Sequence, residues 1–473
     1  MATIRIISAF IILMICSHIS FAQDITTDTT LANNYFEKAG IFEDSLQYDC
    51  AMVYFEKASA LYQAYEQWRK YLQSETKLGV CYLKKWQLDL AIAAIKPAIK
   101  KSLHHINEKD TIVADAYFGL GNSYYLKSLN DSAIYYYEKT LVIRKELLGE
   151  KHIDVAQTYM NIGNVYDEKS EYDLALQYNF KSLEIKKELL GEKHTIVAAS
   201  YNNIGAVYYR KAEFDLALQY FSNALEINKE LLGEKNSDVA QTYMNIGTIY
   251  VNKDEYDLAL QYYFKSLEIK KELLGEKHID VAMCYNNIGA VYEIKDELDF
   301  ALQHHFKSLE IKKELLGEKH NSVATSYHNI GLIYSHKHEY DLALQYYFIS
   351  LDIRKELLGE KHNLVATSFN SIGAIYKAKK EYDLALQYFF RSLEIRAELL
   401  GEEHTLVAQS YMNIGNIYYE RNEYDLALQY HNKSLEIKKD LLGEKHTVVA
   451  VSYTHLTLPT TCTPCSSRGG RGA

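Results

Sequence analysis

A six-residue motif recurs through this chain at one fixed spacing. Copies of "LLGEKH" run from Leu147–His152 to Leu441–His446, and each copy starts 42 residues after the one before. The remaining exact or near copies, which include "LLGEKN" and "LLGEEH", start at Leu189, Leu231, Leu273, Leu315, Leu357 and Leu399. A period of 20–50 residues is typical of repeat arrays, whose core lies between neighbouring repeats. One repeat array therefore explains the length of 473 residues better than a few separate globular domains do.

A single repeat contains two helical patterns. In Val197–Asp238, the stretch "VAASYNNIGAVYYR" has apolar residues at offsets of three and four, which indicates one buried helix face. A short turn, "KAEF", leads to a second amphipathic stretch, "DLALQYFSNALEINKELL". We expect Gly233 to end this helix in the left-handed conformation. The motif "LLGEKH" is thus predicted to be the hinge between one helical hairpin and the next.

Small residues recur where two helices must approach closely. The order Tyr201-x-x-Ile204-Gly205-x-x-Tyr208, followed by Ala217-x-x-x-Phe221, resembles the tetratricopeptide pattern W-x-x-L-G-x-x-Y…A-x-x-x-F. The glycine recurs at Gly79, Gly121, Gly163, Gly247, Gly289, Gly331, Gly373 and Gly415. The resemblance implies an all-α, right-handed α-solenoid of about ten tetratricopeptide-like helical hairpins, from about Leu31 to Thr447.

The repeat departs from the common tetratricopeptide form in two respects. It has 42 residues instead of 34, and it lacks the proline that usually closes the second helix. This longer form is similar to the kinesin light chain type of repeat, which also occurs in many bacterial proteins. Because the chain begins with an export signal, the resemblance implies a bacterial exported form and does not carry over a cargo-adaptor role.

The N-terminus is typical of a secretory signal. Arg5 is followed by the apolar stretch Ile6–Cys16 and by the small residues of Ser20-Phe21-Ala22. We expect residues 1–22 to be a signal peptide and 23–30 a short N-terminal segment, with export to the periplasm or beyond. An uncleaved membrane anchor is the alternative, although the stretch is short for a span of about 20 residues. No later segment is apolar enough to predict a span.

The repeat array is expected to cover residues 31–448, and the sequence then changes character. Residues 449–473 begin an eleventh repeat and break into "THLTLPTTCTPCSSRGGRGA". Because "SYTHLTLPT" resembles translated adapter sequence, we favour a non-native tail over a natural flexible tail with a CxxC motif at Cys462 and Cys465. The chain would then continue differently beyond Tyr453.

Sequence motifs for catalysis are absent, so we predict no enzyme, no catalytic residue and no cofactor. The charged run Glu184-Ile185-Lys186-Lys187-Glu188 is interpreted as a solvated helix face. A histidine ladder repeats every 42 residues, and its alternatives are a metal or pH-sensing edge and a polar group at helix starts; Asn236 in one vacant place favours the second. The ladder consists of His152, His194, His278, His320, His362, His404 and His446.

A second group of histidines could form a metal site, and the single cysteines could belong to the core. A second histidine cluster consists of His304, His305, His320, His328, His336 and His338. We predict no metal site there, because His328 and His336 are about 12 Å apart along one helix. The single cysteines Cys50 and Cys81 are interpreted as small core residues.

The strongest functional pattern is a ladder of asparagines two residues before the packing glycine. It consists of Asn161, Asn203, Asn245, Asn287, Asn329 and Asn413. These amides either tie neighbouring helices together or face a groove and bind a peptide backbone, since each offers a donor and an acceptor. The family resemblance implies that the first helices line the concave groove and that this asparagine contacts ligand. Variable neighbours such as Met244, Asn286 and His328 would then give specificity.

The expected partner is therefore a protein or an extended peptide. A net charge of −10 argues against a nucleic-acid partner. The sequence predicts a non-enzymatic binding scaffold that uses the concave face of the solenoid. The alternative is a sensor or regulatory region of a larger signalling protein or enzyme whose effector domain lies beyond residue 453. The oligomeric state does not follow from the sequence.

The export signal makes a first testable prediction. N-terminal sequencing of the protein purified from a host that recognises bacterial signals should find Gln23 as the first residue of the mature chain. An intact Met1 on the purified protein would show that the apolar segment is not a cleaved signal.

Overall fold

The computed structural model describes residues 29–442, and all regular structure in that range is α-helical. The predicted signal peptide, the segment after Leu442, His446 and the CxxC motif lie outside the described residues. The helices are α1 (29–44), α2 (Tyr48–Ala64), α3 (Trp68–Lys84), α4 (Leu88–Ser102), α5 (Thr111–Leu126), α6 (Asn130–Leu148), α7 (Ile153–Glu168), α8 (Tyr172–Leu190), α9 (Thr195–Arg210), α10 (Phe214–Leu232), α11 (Ser237–Asn252), α12 (Tyr256–Leu274), α13 (Ile279–Ile294), α14 (Leu298–Leu316), α15 (Asn321–His336), α16 (Tyr340–Leu358), α17 (Asn363–Ala378), α18 (Tyr382–Leu400), α19 (Thr405–Glu420) and α20 (Tyr424–Leu442).

Consecutive helices pair into ten hairpins, each made of an odd-numbered first helix and an even-numbered second helix. This confirms the predicted all-α solenoid of tetratricopeptide-like hairpins. The described residues divide into two compact units at the boundary between Glu234 and Lys235, which we call the N-terminal and C-terminal units. Within 29–442 no helix is both long enough and apolar enough to cross a membrane.

Every hairpin from the second to the tenth closes around a glycine on the first helix, and Ala39 holds this place in the first hairpin. A Cβ atom added to Gly247 would lie 2.7 Å from the ring of Tyr263, and one added to Gly289 would lie 2.9 Å from the ring of His305. Since real Cβ atoms do not approach other atoms this closely, only glycine allows this helix crossing. Ala259 and Ala301, the small residues on the facing second helices, are fully buried. The glycine and alanine places predicted from the sequence therefore form the helix-packing contact.

Tyrosine stacks join the two helices of seven hairpins at a second point. Tyr208 stacks on Tyr220 with ring centroids 5.3 Å apart, and Tyr334 stacks on Tyr346 at 5.4 Å. Offset aromatic pairs of this kind add stabilisation beyond the burial of their area. The repeated stack accounts for much of the unusual abundance of tyrosine, at 42 copies.

The hydrophobic core continues from one hairpin to the next. One cluster in the C-terminal unit joins Ala259 and Tyr263 of α12 to Val281 and Tyr285 of α13 and to Ile311 of α14. A single hairpin cannot bury its apolar face alone, so its neighbours complete the core. Among the single cysteines, Cys81 and Cys284 are buried, whereas Cys50 is exposed, so its interpretation as a core residue is wrong.

The glycine of "LLGEKH" adopts a conformation that other residues avoid. Gly191 has φ 83° and ψ 165°, and the other hinge glycines have φ between 79° and 84°. The predicted positive φ is confirmed, but the ψ value lies far from the left-handed helical region. This extended region of positive φ is essentially reserved for glycine. The hinge therefore ends the second helix and turns the chain directly toward the next hairpin.

The three residues after the hinge glycine each make a repeated contact. Glu192 pairs with Lys187 of the preceding helix at 2.9 Å, and Lys193 pairs with Glu230 of the next second helix at 2.7 Å. His194 Nδ1 accepts a hydrogen bond from the Ile196 amide at 3.1 Å, which caps α9. Both ion pairs are exposed, so each contributes little to stability. The repeated motif thus ends one hairpin, positions the next and starts its first helix.

The histidine ladder is confirmed as helix-entry chemistry. The same side-chain cap is made by His152, Asn236, His278, His320, His362 and His404. An asparagine does this in α11, where Asn236 Oδ1 accepts from the Asp238 amide at 2.8 Å. In the part of the chain from 29 to 442, no group of three or more His, Cys, Asp or Glu side chains could hold a metal ion.

The cap gives a matched pair of variants. His194→Ala should lower the free energy of unfolding by about 1 kcal/mol, because the Ile196 amide loses its acceptor. His194→Asn should stay close to the parent protein, since Asn236 makes the same cap. Urea unfolding, with hydrogen exchange of the first turn of α9, measures both effects. An asparagine variant as unstable as the alanine variant would show that the imidazole acts through packing instead.

Candidate functional site on the first helices

The predicted asparagine ladder lies on the first helices, with every member half-buried. We call the exposed side chains of the odd-numbered helices of each unit the first-helix face. Asn161 and Asn203 belong to this face in the N-terminal unit, and the other four belong to it in the C-terminal unit: Asn245, Asn287, Asn329 and Asn413. The repeat brings the same amide to the same place in six of the ten hairpins, as the sequence predicts.

Three ladder amides tie successive first helices together. Asn161 Nδ2 donates to Asn122 Oδ1 at 3.1 Å, which joins α7 to α5. Two further ties join α15 to α13 and α19 to α17, through Asn329 Nδ2 to Asn286 Oδ1 at 3.4 Å and Asn413 Nδ2 to Asn370 Oδ1 at 2.8 Å. One of the two roles considered for the ladder, linking neighbouring helices, is therefore present at these positions. The peptide-binding role stays a prediction.

Other ladder amides are not used in this way. The side chains of Asn203 and Asn287 make no hydrogen bond to any residue within 29–442, although both are only half-buried. Asn245 accepts one hydrogen bond, from Gln241 Nε2 at 3.2 Å. A half-buried amide without an internal partner keeps its donors and its acceptor for water or for a ligand.

A pocket of about 480 Å³ lies on the first-helix face of the N-terminal unit. Its polar lining includes Asn122, Asn161 and Asn164, and its apolar lining includes Tyr125 and Trp86, whose side chain is 72% exposed. Burial, with a smaller contribution from the nearby Glu168, raises the pKa of Tyr125 to about 12. The phenol is therefore neutral at physiological pH. Amides beside exposed aromatic rings suit a polypeptide backbone with a side chain anchored next to it.

Not all of the expected neighbours face this surface. Met244 is buried, with its sulfur 3.6 Å from Cys284 Sγ, so its predicted role in groove specificity is wrong. Asn286 is half-buried and holds Asn329. His328 packs its ring against Tyr347 with centroids 4.9 Å apart. Met244 turns inward because its helix places it toward the next hairpin, which a single-helix pattern does not reveal.

The second helices carry a buried cation that the sequence interpretation missed. Lys186 is only 2% exposed, so its assignment to a solvated face is wrong; Lys187 and the glutamates beside it do lie at the surface or partly exposed. The same place is cationic in seven of the hairpins, as Arg144, Lys186, Lys270, Lys312, Arg354, Arg396 and Lys438, and none of these is more than 8% exposed. Asn228 fills it in α10. The recurrence of Lys or Arg at this position every 42 residues is the sequence signal that could have revealed the buried cation.

The buried cations reach the first helix of the following hairpin. Lys186 Nζ donates to Ser200 Oγ at 3.1 Å, and burial lowers the pKa of Lys186 to about 8. A serine beside a lysine of low pKa can be a nucleophile and its base. Here the Ser200 hydroxyl donates to the Ile196 carbonyl. Arg354 and Arg396 make the same contact to Ser368 and Ser410. Since arginine cannot act as a base, the repeated contact is a packing device.

Comparison with known protein families agrees with this architecture. The model of the tetratricopeptide repeat matches residues 112–188, 171–230, 196–272, 238–314, 285–347, 322–396 and 364–440. The chain belongs to the tetratricopeptide repeat family. The matched regions together span well over half of the sequence and include every first helix from α5 to α19. Comparison with curated proteins finds no match.

Solved structures support the same fold. The apo form of RapI is 19% identical, with a TM-score of 0.55, and the alignment covers 78% of this chain and 98% of RapI. The apo form of the quorum sensor NprR from B. thuringiensis is 15% identical, with a TM-score of 0.52 and coverage of 77% and 98%. A Podosopora anserina protein described as a kinesin light chain with nearly identical TPR-like repeats is 15% identical, and the alignment covers 44% of this chain and 98% of that protein, at a TM-score of 0.39. The similarities to RapI and NprR concern the fold alone.

Two buried histidines predict an acid-sensitive C-terminal unit. Burial lowers the pKa of both His305 and His328 to about 4, with smaller contributions from Lys312 and His304 to the first and from Arg354 to the second. An unfolded histidine titrates near 6.5. Between about pH 6.5 and 4 the unfolded chain therefore binds protons that the folded chain does not. Stability is present above this window and falls as the pH falls through it.

Replacement of His305 tests this linkage. Tyr263 and Tyr347 occupy the equivalent place beside their own glycines, so His305→Tyr should fold normally. Between pH 7 and pH 5 the parent protein should lose about 2 kcal/mol more free energy of unfolding than the variant. Urea unfolding at the two pH values measures the difference. Parallel losses in both proteins would show that His305 is not held neutral.

Proposed function

We propose that this protein is a non-enzymatic scaffold that binds a protein partner through an extended peptide segment on its first-helix face. The single observation that supports this most strongly is the pocket in which Asn122, Asn161 and Asn164 lie beside the exposed Trp86. Tetratricopeptide repeats are protein-interaction modules, and the chain belongs to that family. The amides would bind the ligand backbone, and the aromatic residues would anchor a side chain.

The asparagines without internal partners extend this argument along the face. Asn203 and Asn287 sit at the ladder place of their hairpins and keep both donor and acceptor available. A row of such amides pairs with an extended backbone largely irrespective of its side chains. Each direct hydrogen bond would contribute about 0.5–1.5 kcal/mol.

We further propose that the protein acts outside the cytoplasm, as the N-terminal sequence predicts, so that its partners are exported or surface proteins. The alternative, a sensor region joined to an effector domain beyond residue 453, uses the same face for recognition. Both depend on binding at the first helices.

The test uses the asparagines that have no internal partner. Partners are captured from the exported and surface proteins of the source cell with the purified chain as bait, and affinities are then measured by calorimetry. Combining Asn203→Ala with Asn287→Ala should weaken binding about fivefold to a hundredfold, because two hydrogen bonds are lost. Helicity should not change, since alanine favours helix.

Asn329→Ala provides a matched comparison within the same ladder. It removes the tie to Asn286 and should lower stability by about 1 kcal/mol, measured by urea unfolding. If the Asn203 and Asn287 variant binds every captured partner as tightly as the parent protein, the first-helix amides do not bind ligand and the proposal is wrong.

A further inference from the structure

All five hairpins of the C-terminal unit bury a cation at the same place of the second helix, and Lys438 holds this place in α20. The other four are Lys270 of α12, Lys312 of α14, Arg354 of α16 and Arg396 of α18, and none is more than 8% exposed. No carboxylate within residues 29–442 forms an ion pair with any of them. Burying a charge is costly unless an opposite charge or strong hydrogen bonds compensate it. Four buried cations that have hydrogen bonds but no carboxylate partner in this range therefore need an explanation.

Arg144 of the N-terminal unit shows that a buried cation at this position can pair with a carboxylate. There, Nη2 of Arg144 donates to Asp115 Oδ1 at 2.8 Å, and the Asp115 side chain is 51% exposed on the first helix of the same hairpin. Asp115 lies 29 residues before its cation. The residues 29 before the four cations are neutral: Gln241, Met283, Thr325 and Thr367.

A neutral residue at the position equivalent to Asp115 makes a similar contact with the buried cation. Lys270 Nζ donates to Gln241 Oε1 at 3.4 Å, across the same pair of helices as the Arg144 and Asp115 contact. Met283 is 49% exposed, and Thr325 is also exposed. Solvent thus reaches the position from which a carboxylate contacts Arg144.

The two arginines keep guanidinium donors that have no acceptor among residues 29–442. Nη1 of Arg354 donates to Ser368 Oγ at 2.8 Å, and Nη1 of Arg396 donates to Ser410 Oγ at 3.0 Å. Nη2, the atom that holds Asp115 in the case of Arg144, finds no acceptor among the described residues in either arginine. The Nε atoms of both are buried without a hydrogen-bond partner in the same part of the chain.

We propose that this row of cations is a binding site for the carboxylate side chains of an acidic, extended peptide. Each ligand carboxylate would occupy, above the first helix, the position that Asp115 fills in the N-terminal unit. The inference rests on the proposed peptide-binding function and adds the chemistry of the ligand. With a net charge of −10, the protein as a whole repels acidic peptides, so such binding needs a local site of opposite charge.

The spacing of the hairpins sets the spacing of the acidic residues. The Asn329 tie shows that α15 and α13 are direct neighbours, and adjacent packed helices lie about 8–10 Å apart. A polyproline II segment advances about 3.1 Å per residue, with three residues per turn. Glutamates at every third position of such a segment would lie on one side and meet successive cations.

The probe is a fluorescent peptide with glutamate at every third position and proline or alanine between, compared with the same peptide carrying glutamine. Fluorescence anisotropy with the full chain at low and physiological salt gives both affinities. The glutamate peptide should bind at least about tenfold more tightly, because a hydrogen bond to a charged group is stronger than one to an amide. Equal affinities, or no binding of the glutamate peptide, would overturn the inference.

Variants taken from the chain's own repeats separate the buried site from general charge. Arg354→Asn copies Asn228, which already occupies this place, and should weaken the glutamate peptide about tenfold. Arg354→Lys copies Lys312 and should restore most of the affinity. Lys319→Asn removes an exposed cation paired with Glu356 and should have no effect. Equal losses in the Lys319 and Arg354 variants would mean that only net charge matters and would also overturn the inference.

A grafted carboxylate provides the converse experiment. Thr325→Asp places an acid where Asp115 stands, so it should pair with Arg354 and weaken the glutamate peptide, whereas Thr325→Asn should not. Captured partners distinguish this inference from the proposed function. If they lose affinity in the Asn203 and Asn287 variant while the two probe peptides bind equally, only the acidic-ligand inference fails. If they are insensitive to those asparagines while the glutamate peptide still depends on Arg354, only the amide mechanism fails.

Discussion

The turn from one hairpin to the next depends on a glycine conformation that other residues cannot adopt at low cost. Each hinge glycine combines φ near 80° with ψ near 165°, and this sets the direction in which the next first helix leaves. The cap on that helix and the lysine pair to the following hairpin can form only after this turn. The fixed interval of 42 residues follows, because a change in hairpin length would move the glycine, the cap and the ion pair out of register with one another.

Uniform hinges let the interior of each hairpin vary without changing the stack. The residue that faces the packing glycine is Tyr263 in one hairpin and His305 in the next, and Asn179 takes this place beside Gly163 with its amide atoms buried and unpaired. Buried polar groups of this kind cost stability. The array tolerates them because each hairpin is held by its neighbours as well as by its own contacts. Polar variation inside the repeats is therefore available for function.

Much of this fold follows from the sequence, because periodicity within a helix and between repeats are both one-dimensional signals. The hairpins, the glycine crossings and the capping histidines are predicted from spacing and residue type. Lys186 was misassigned because it sits next to Lys187 in a charged run, and the packing of the following hairpin decides which of the two points inward. Met244 was misplaced for the same reason. The ties from Asn329 and Asn413 join helices about one repeat apart, so only the stacked structure shows which amides are engaged and which, such as Asn203, are not.

Hydroxyl-radical footprinting of the protein with a captured partner tests the central claim, that the first helices form the binding face. Trp86, in the turn after first helix α3 and in the lining of the pocket, and Met283, on first helix α13, are both exposed and react readily with radicals. Both should be protected in the complex. Tyr135, 52% exposed on second helix α6, should react at the same rate with and without the partner. Protection of Tyr135 with no change at Trp86 and Met283 would place the partner on the second helices and contradict this account.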